Sequence, residues 1–193
     1  MGTNNAVLKL DLSAAFEPKC RDAIENTKLD GSERTKIYEQ CDWSFAYDVP
    51  TTEFPSARTR TQGVVIFDSL YVFGGRDSQL NVKSDFWKLS LTAVVPSWTG
   101  LSSGQMPLGR AEHAMGKWRD YIVLYGGKSS SGETLSDVWF FDPLSRKWSE
   151  IVALNLGPRL SGSCIGTDRD NVYVGCGLED THVWRFNVQD RLW

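Results

Sequence analysis

Residues 69–75 read SLYVFGG, and the phrase returns as DYIVLYGG at 120–127 and, degraded, as NVYVGCG at 171–177. Each copy is a short aromatic and β-branched run stopped by glycine, the pattern of a buried strand ending in a tight turn. Paired glycines suit that turn, since they accept positive φ and close backbone approach without a steric cost. The pairs Gly74-Gly75 and Gly126-Gly127 lie 52 residues apart, and Cys176-Gly177 follows after 50 more.

Three further phrases keep step with the first. One is SDFWKLSL at 84–91, SDVWFFDP at 136–143 and THVWRFNV at 181–188. Another is a tryptophan soon after it, at Trp43, Trp98, Trp148 and Trp193, in steps of 55, 50 and 45 residues. The last is an arginine ahead of the glycines, at Arg58, Arg110 and Arg159. Four phrases in one order through three cycles mark an internal repeat of a single supersecondary unit. In Val138-Trp139-Phe140-Phe141 the apolar residues are contiguous, so both faces of that strand are expected to be covered.

An aromatic strand ending in Gly-Gly, then a Trp-centred strand, then a spaced Trp, at about 50 residues per cycle, resembles the kelch repeat. The resemblance covers the chain from about residue 5 to its last residue, with one interruption. It implies an all-β, kelch-type β-propeller whose blades are four-stranded antiparallel sheets packed radially around a channel. Strand A then holds Arg58, Arg110 or Arg159 near its start, and strand B ends at the glycines. Strand C carries Trp87, Trp139 or Trp184, and strand D opens at Trp98, Trp148 or Trp193. The chain departs from the pattern at Cys176, at His182 where the other cycles have Asp85 and Asp137, and at Leu8 in place of Trp87.

Residues 1–193 therefore amount to about three and a half blades, fewer than the four to eight that close a propeller. The expectation is a partial propeller belonging to a longer one, the rival being a ring completed by a second copy. Either way this stretch alone is not expected to be a stable closed monomer. Residues 13–42 interrupt strands C and D of the first, partial blade. This polar insertion reads as two short helices joined at Asp30-Gly31, with Ser32 as a helix cap. It suits a partner contact and a solvated decoration on the outer rim equally.

Cys20 and Cys41 bracket the insertion, and Cys164 and Cys176 fall on strands A and B of one hairpin, giving two candidate disulfides. Such pairs point to an oxidising compartment. Buried free cysteine is common, however, and no Asn-x-Ser/Thr sequon occurs, so the localisation stays undecided. The start, MGTNNAVLKLDL, shows neither the basic end nor the apolar core of a signal peptide. No apolar run is long enough for a membrane-spanning helix. A net charge of −3 gives no basic face for nucleic acid.

No metal site is expected, because Cys-x-x-Cys and His-rich spacings are missing and His113 and His182 lie in different blades. No cofactor is expected either, since phosphate-cradling loops, dinucleotide fingerprints and a serine-nucleophile motif are all lacking. Galactose-oxidase-like oxidases and sugar epimerases also resemble this architecture, but two histidines and no paired carboxylates assemble neither site. His113 reads as a packed inner-strand residue. The expected role is accordingly that of a protein-protein interaction scaffold and not of an enzyme, a fragment of a kelch-fold enzyme being the alternative.

By resemblance, partner-binding kelch domains use the loops entering strand A and those linking B to C. These map onto Arg58, Arg60, Arg110 and Arg159, and onto Arg76, Asp77, Ser78, Gln79, Lys128, Ser129, Ser130 and Ser131. Arginines converging on one face would grip an acidic segment of another protein through bidentate pairs. A second reading stays open for two of them: Arg58 pairs with Asp85, and Arg110 with Asp137, inside their own blades.

Overall fold

The computed structural model describes residues 7–10, 43–47, 53–93, 96–101 and 104–193. These residues fall into two compact units, one within Met1–Pro50 and the other within Thr51–Trp193. Among them every regular element is a strand, and every pairing is antiparallel. The helices expected in 13–42 lie outside the described residues, as do Cys20 and Cys41.

In the first unit, β1 (Val7–Leu10) pairs with β2 (Trp43–Tyr47), with Leu10 opposite Trp43. The second unit holds three successive sheets. Blade I is β3 (Gln62–Ile66), β4 (Ser69–Phe73), β5 (Phe86–Ser90) and β6 (Trp98–Leu101), hydrogen-bonded in chain order. Blade II opens with a two-residue rim strand, β7 (Arg110–Ala111), followed by β8 (Ala114–Trp118) and β9 (Tyr121–Tyr125). A second rim strand, β10 (Lys128–Ser129), precedes β11 (Val138–Asp142) and β12 (Lys147–Glu150). Its sheet runs β8-β9-β11-β12, with β7 paired to β10 beside it. Blade III is β13 (Cys164–Thr167), β14 (Asn171–Gly175) and β15 (Val183–Asn187).

The contiguous aromatic run in β11 is buried on both faces, as its sequence requires. Trp139 and Phe141 join Ile122, Leu124 and Trp148 against Tyr71, Phe73 and Phe86 of blade I. Val138 and Phe140 join Val123 and Tyr125 against Val172, Val174 and Phe186 of blade III. Period-two alternation thus gives each strand of blade II one face to each neighbour. Trp193, expected to open a fourth strand, lies outside any strand beyond an Asn187–Leu192 bridge. It packs on Tyr125 and Phe186.

The glycine pairs have a steric reason. Gly74 and Gly126 both sit at φ of 60°, and a Cβ on Gly126 would stand 2.6 Å from the Leu160 carbonyl of the next blade. A Cβ on Gly74 would meet the Arg110 carbonyl in the same way. The second glycine of each pair donates to that same carbonyl: Gly75 N to Arg110 O and Gly127 N to Leu160 O, both 2.8 Å. Blades therefore step from one to the next through a backbone contact that a side chain would block. Cys176, at φ 57°, holds the equivalent place in blade III.

Candidate functional site

At one end of the blades the segment entering the first strand meets the loop after the second. Thr59 and Arg76 exchange backbone hydrogen bonds of 2.8 Å, β7 pairs with β10, and Leu178 N donates to Ser161 O at 2.8 Å. This is the rim to which the candidate contact residues were assigned, and the structure sorts them into two groups.

The first group is internal. Arg58 donates to Asp85 through Nη1 (2.7 Å) and Nη2 (2.8 Å), and to the Gly74 carbonyl at 3.0 Å. Arg110 repeats this wiring on Asp137 (2.5 and 2.7 Å) and the Gly126 carbonyl (2.9 Å). Each aspartate also accepts an indole N–H two residues on, from Trp87 at 2.6 Å and Trp139 at 2.7 Å. Burial pushes the Asp137 carboxyl up, but the hydrogen bonds and charge of Arg110, with the Trp139 indole, hold it below the usual carboxylate range. Asp85 is lowered for the same set of reasons. Arg110 is fully buried and the Arg58 side chain is only 5% exposed, so neither presents a surface to a partner. Ser129 is buried too, its hydroxyl held by Ser131 and the Glu133 N–H. These three leave the set of contact residues, the arginines because a bidentate pair inside the blade uses them up.

Blade III departs from this wiring. With His182 in the aspartate's place, Asp180 accepts the Trp184 indole at 2.9 Å. Arg159 instead swings outward to Glu133 and the Thr134 carbonyl of the preceding blade, at 2.8 and 2.7 Å.

The second group is on the surface. Arg60 pairs with Glu112, Lys128 lies 3.9 Å from Glu112 and 3.4 Å from Glu179, and Glu179 accepts from the Ser161 N–H and hydroxyl. This chain of alternating charge crosses all three blades. Beneath it, Glu112 N donates to Arg60 O (2.9 Å) and Gly162 N to Glu112 O (2.7 Å). These three residues share left-handed φ of 54°, 59° and 62°. Arg76 and Asp77 shape the blade I loop: Arg76 donates to the Leu80 carbonyl (3.2 Å), while Asp77 caps Gln79 and Asn81 and pairs with Lys83. Ser78 lies in the same loop, and Leu80 and Leu178 stand exposed beside these charges. Nothing in the repeated phrases singled out Glu112, Glu133 or Glu179.

His113 is fully buried beside Phe73, with no hydrogen-bond partner for either ring nitrogen among the described residues. Burial, then the Arg110 charge, pushes its pKa down from 6.5 to about 3. The folded imidazole stays neutral while the unfolded one protonates near its ordinary value, so stability is lost as pH falls below about 6.5. Urea unfolding is expected to lose about 2 kcal/mol between pH 6.5 and 5, at about 1.4 kcal/mol per unit. His113→Leu should remove that slope, whatever it does to absolute stability. An unchanged slope would show that the ring protonates in the fold.

Four-stranded antiparallel sheets, stacked face to face through aromatic layers and stepped by glycine–carbonyl contacts, define blades of a β-propeller. Residues 37–193 match the model of the KLHDC2/KLHL20/DRC7 Kelch-repeats domain. The chain belongs to the kelch-repeat family. It is 28% identical over 130 residues to Kelch-like protein 25 of Xenopus tropicalis, covering 63% of this chain and 21% of that one. It is 33% identical over 84 residues to human Multiple epidermal growth factor-like domains protein 8, covering 44% and 3%. It is 26% identical over 154 residues to the Drosophila melanogaster Leucine-zipper-like transcriptional regulator 1 homolog, covering 72% and 15%. The matched stretch is thus a minor part of each relative's length.

Proposed function

We propose that this kelch segment is a protein-binding module whose rim, formed by the strand A entries and B–C loops, takes an acidic segment of its partner. Kelch repeats commonly serve as protein-interaction modules, which is the coarse ground for the reading. The observation that carries the finer one is the state of Arg60 and Arg159. Their side chains are 59% and 60% exposed, and each meets its carboxylate through Nη1 alone. A planar guanidinium with its other nitrogens facing solvent retains the geometry for a second, bidentate carboxylate. The Arg159–Glu133 pair is exposed on both sides, and such pairs contribute about 0–1 kcal/mol, so exchanging Glu133 for a partner's acid costs the fold little. The mostly covered Glu112 stays in place, and a partner's acid would join it on the open side of Arg60. Leu80 and Leu178, exposed in the B–C loops of blades I and III, offer apolar contact on the same rim.

Selection from a random peptide library should enrich sequences combining acidic and apolar residues. Arg60→Glu and Arg159→Glu should each weaken the selected peptides at least about tenfold, the scale of one lost charge-assisted anchor. Arg159→Glu, whose pair with Glu133 is exposed on both sides, should leave the melting temperature nearly unchanged. Enrichment without acidic residues, or binding indifferent to both reversals, would remove the proposal.

A further inference from the structure

Blade III carries two free thiols, Cys164 and Cys176, both exposed. Cys164 opens β13 opposite Gly175, and Cys176 is the residue after Gly175. Cys164 donates to the Gly175 carbonyl at 3.3 Å. Both cysteines line a cavity of about 390 Å³, together with Gln62, Met115, Ser163 and Ile165, which the first strands of three successive blades contribute. No histidine or carboxylate stands among its lining residues.

Cys176 occupies an unusual position. Its φ of 57° is one that the other two blades fill with Gly74 and Gly126. A Cβ is disfavoured in the left-handed region, so the residue type there runs against local preference. Cys164 likewise stands where the register of the other blades puts Gln62 and Ala114. Two residues exceptional to the repeat have the same chemistry and meet at one spot.

We propose that Cys164 and Cys176 form a redox-modifiable dithiol, which hydrogen peroxide closes to a disulfide and a small dithiol reductant reopens. Direct interaction with Cys164, by hydrogen bond first and charge second, raises the Cys176 pKa, as expected of two sulfurs in contact. The Cys164 thiolate attacks the peroxide, an S–O bond forms, the O–O bond breaks, and one hydroxide leaves and becomes water by taking a proton. The Cys176 sulfur, losing its proton, then attacks the sulfenic sulfur. An S–S bond forms, S–O breaks, and a second water leaves. Two thiols are oxidised by two electrons and one peroxide is reduced to two waters. The exposed, cavity-facing position gives a small oxidant access, and the paired thiol intercepts the sulfenic acid before further oxidation.

The test uses the whole chain treated with dilute hydrogen peroxide. Trypsin cleaves after Arg159, Arg169 and Arg185, placing Cys164 in residues 160–169 and Cys176 in 170–185. Mass spectrometry without reduction should find these two peptides linked, and dithiothreitol should release them. Cys176→Gly, which restores the residue type of the other blades, should abolish the link and leave a Cys164 sulfenic acid that dimedone captures. The proposal falls if the peptides stay separate while free cysteine in the same tube is oxidised. It also falls if Cys164 or Cys176 is found joined to Cys20 or Cys41.

Discussion

Arg110→Ala should cost the fold about 3–5 kcal/mol, the range for removing one partner of a buried ion pair. The guanidinium is fully buried and makes four bonds: two to Asp137, one to the Gly126 carbonyl and one to the Leu108 carbonyl. Deleting it strands a carboxylate that is mostly covered and a carbonyl at the end of β9, neither of which water reaches easily. Arg58→Ala removes the same wiring around Asp85, which is 38% exposed against 24% for Asp137. Its cost should be the smaller of the two. Urea unfolding of both variants checks the order, and a double-mutant cycle between Arg110 and Asp137 should show coupling above about 1 kcal/mol. Peptide binding per folded molecule should not change in Arg110→Ala. A loss of affinity without a loss of stability would mean that this arginine reaches the surface.

Trp148→Ala should be comparably severe, at about 3–5 kcal/mol. The ring is 4% exposed and sits between blades, with centroids 5.7 Å from Phe73, 5.0 Å from Phe86 and 5.1 Å from Phe141. Its indole N–H has no hydrogen-bond partner among the described residues, so the loss is one of apolar contact and cavity formation. The damage should fall on the boundary between blades I and II, and hydrogen exchange should rise in β4 and β9 ahead of β14. A change below about 1 kcal/mol would contradict the interface.

Both effects were foreseeable from the sequence because they repeat. An arginine and an aspartate 27 residues apart occur twice, and a strand phrase with a tryptophan behind it occurs three times. Repetition converts a side-chain pattern into a statement about blade geometry. The strand run 138–141 was equally legible, since four contiguous apolar residues leave no solvent face. The rim was legible only as a place. Residues 60, 112 and 162 are equivalent, yet they are Arg, Glu and Gly, and what recurs there is a backbone angle and a hydrogen bond to the neighbouring blade. No alphabet of side chains records that. The same gap hid the pairing of Arg60 with Glu112 and of Arg159 with Glu133, which join residues of successive blades without a recurring partner type. Arg159 falls one residue ahead of the place that Arg58 and Arg110 hold, which in blade III is filled by the buried Leu160, so the phrase overstated its likeness to them.

Cys176 also bears on the rotation between neighbouring blades. Blades I, II and III follow one another in steps set by a carbonyl lying against a bare Cα, at Gly74 and then at Gly126. At the third such place the Cα is not bare. Gly175 also replaces the ring that Phe73 and Tyr125 supply to the two covered faces. A sheet arriving on this face at the pitch of the first two would drive its carbonyl into the Cys176 Cβ while leaving a hollow over Gly175. It must ride outward at one end and lean inward at the other. Any sheet packed on this face therefore meets a Cβ and an uncovered Gly175 where blades II and III meet a bare Cα and a ring.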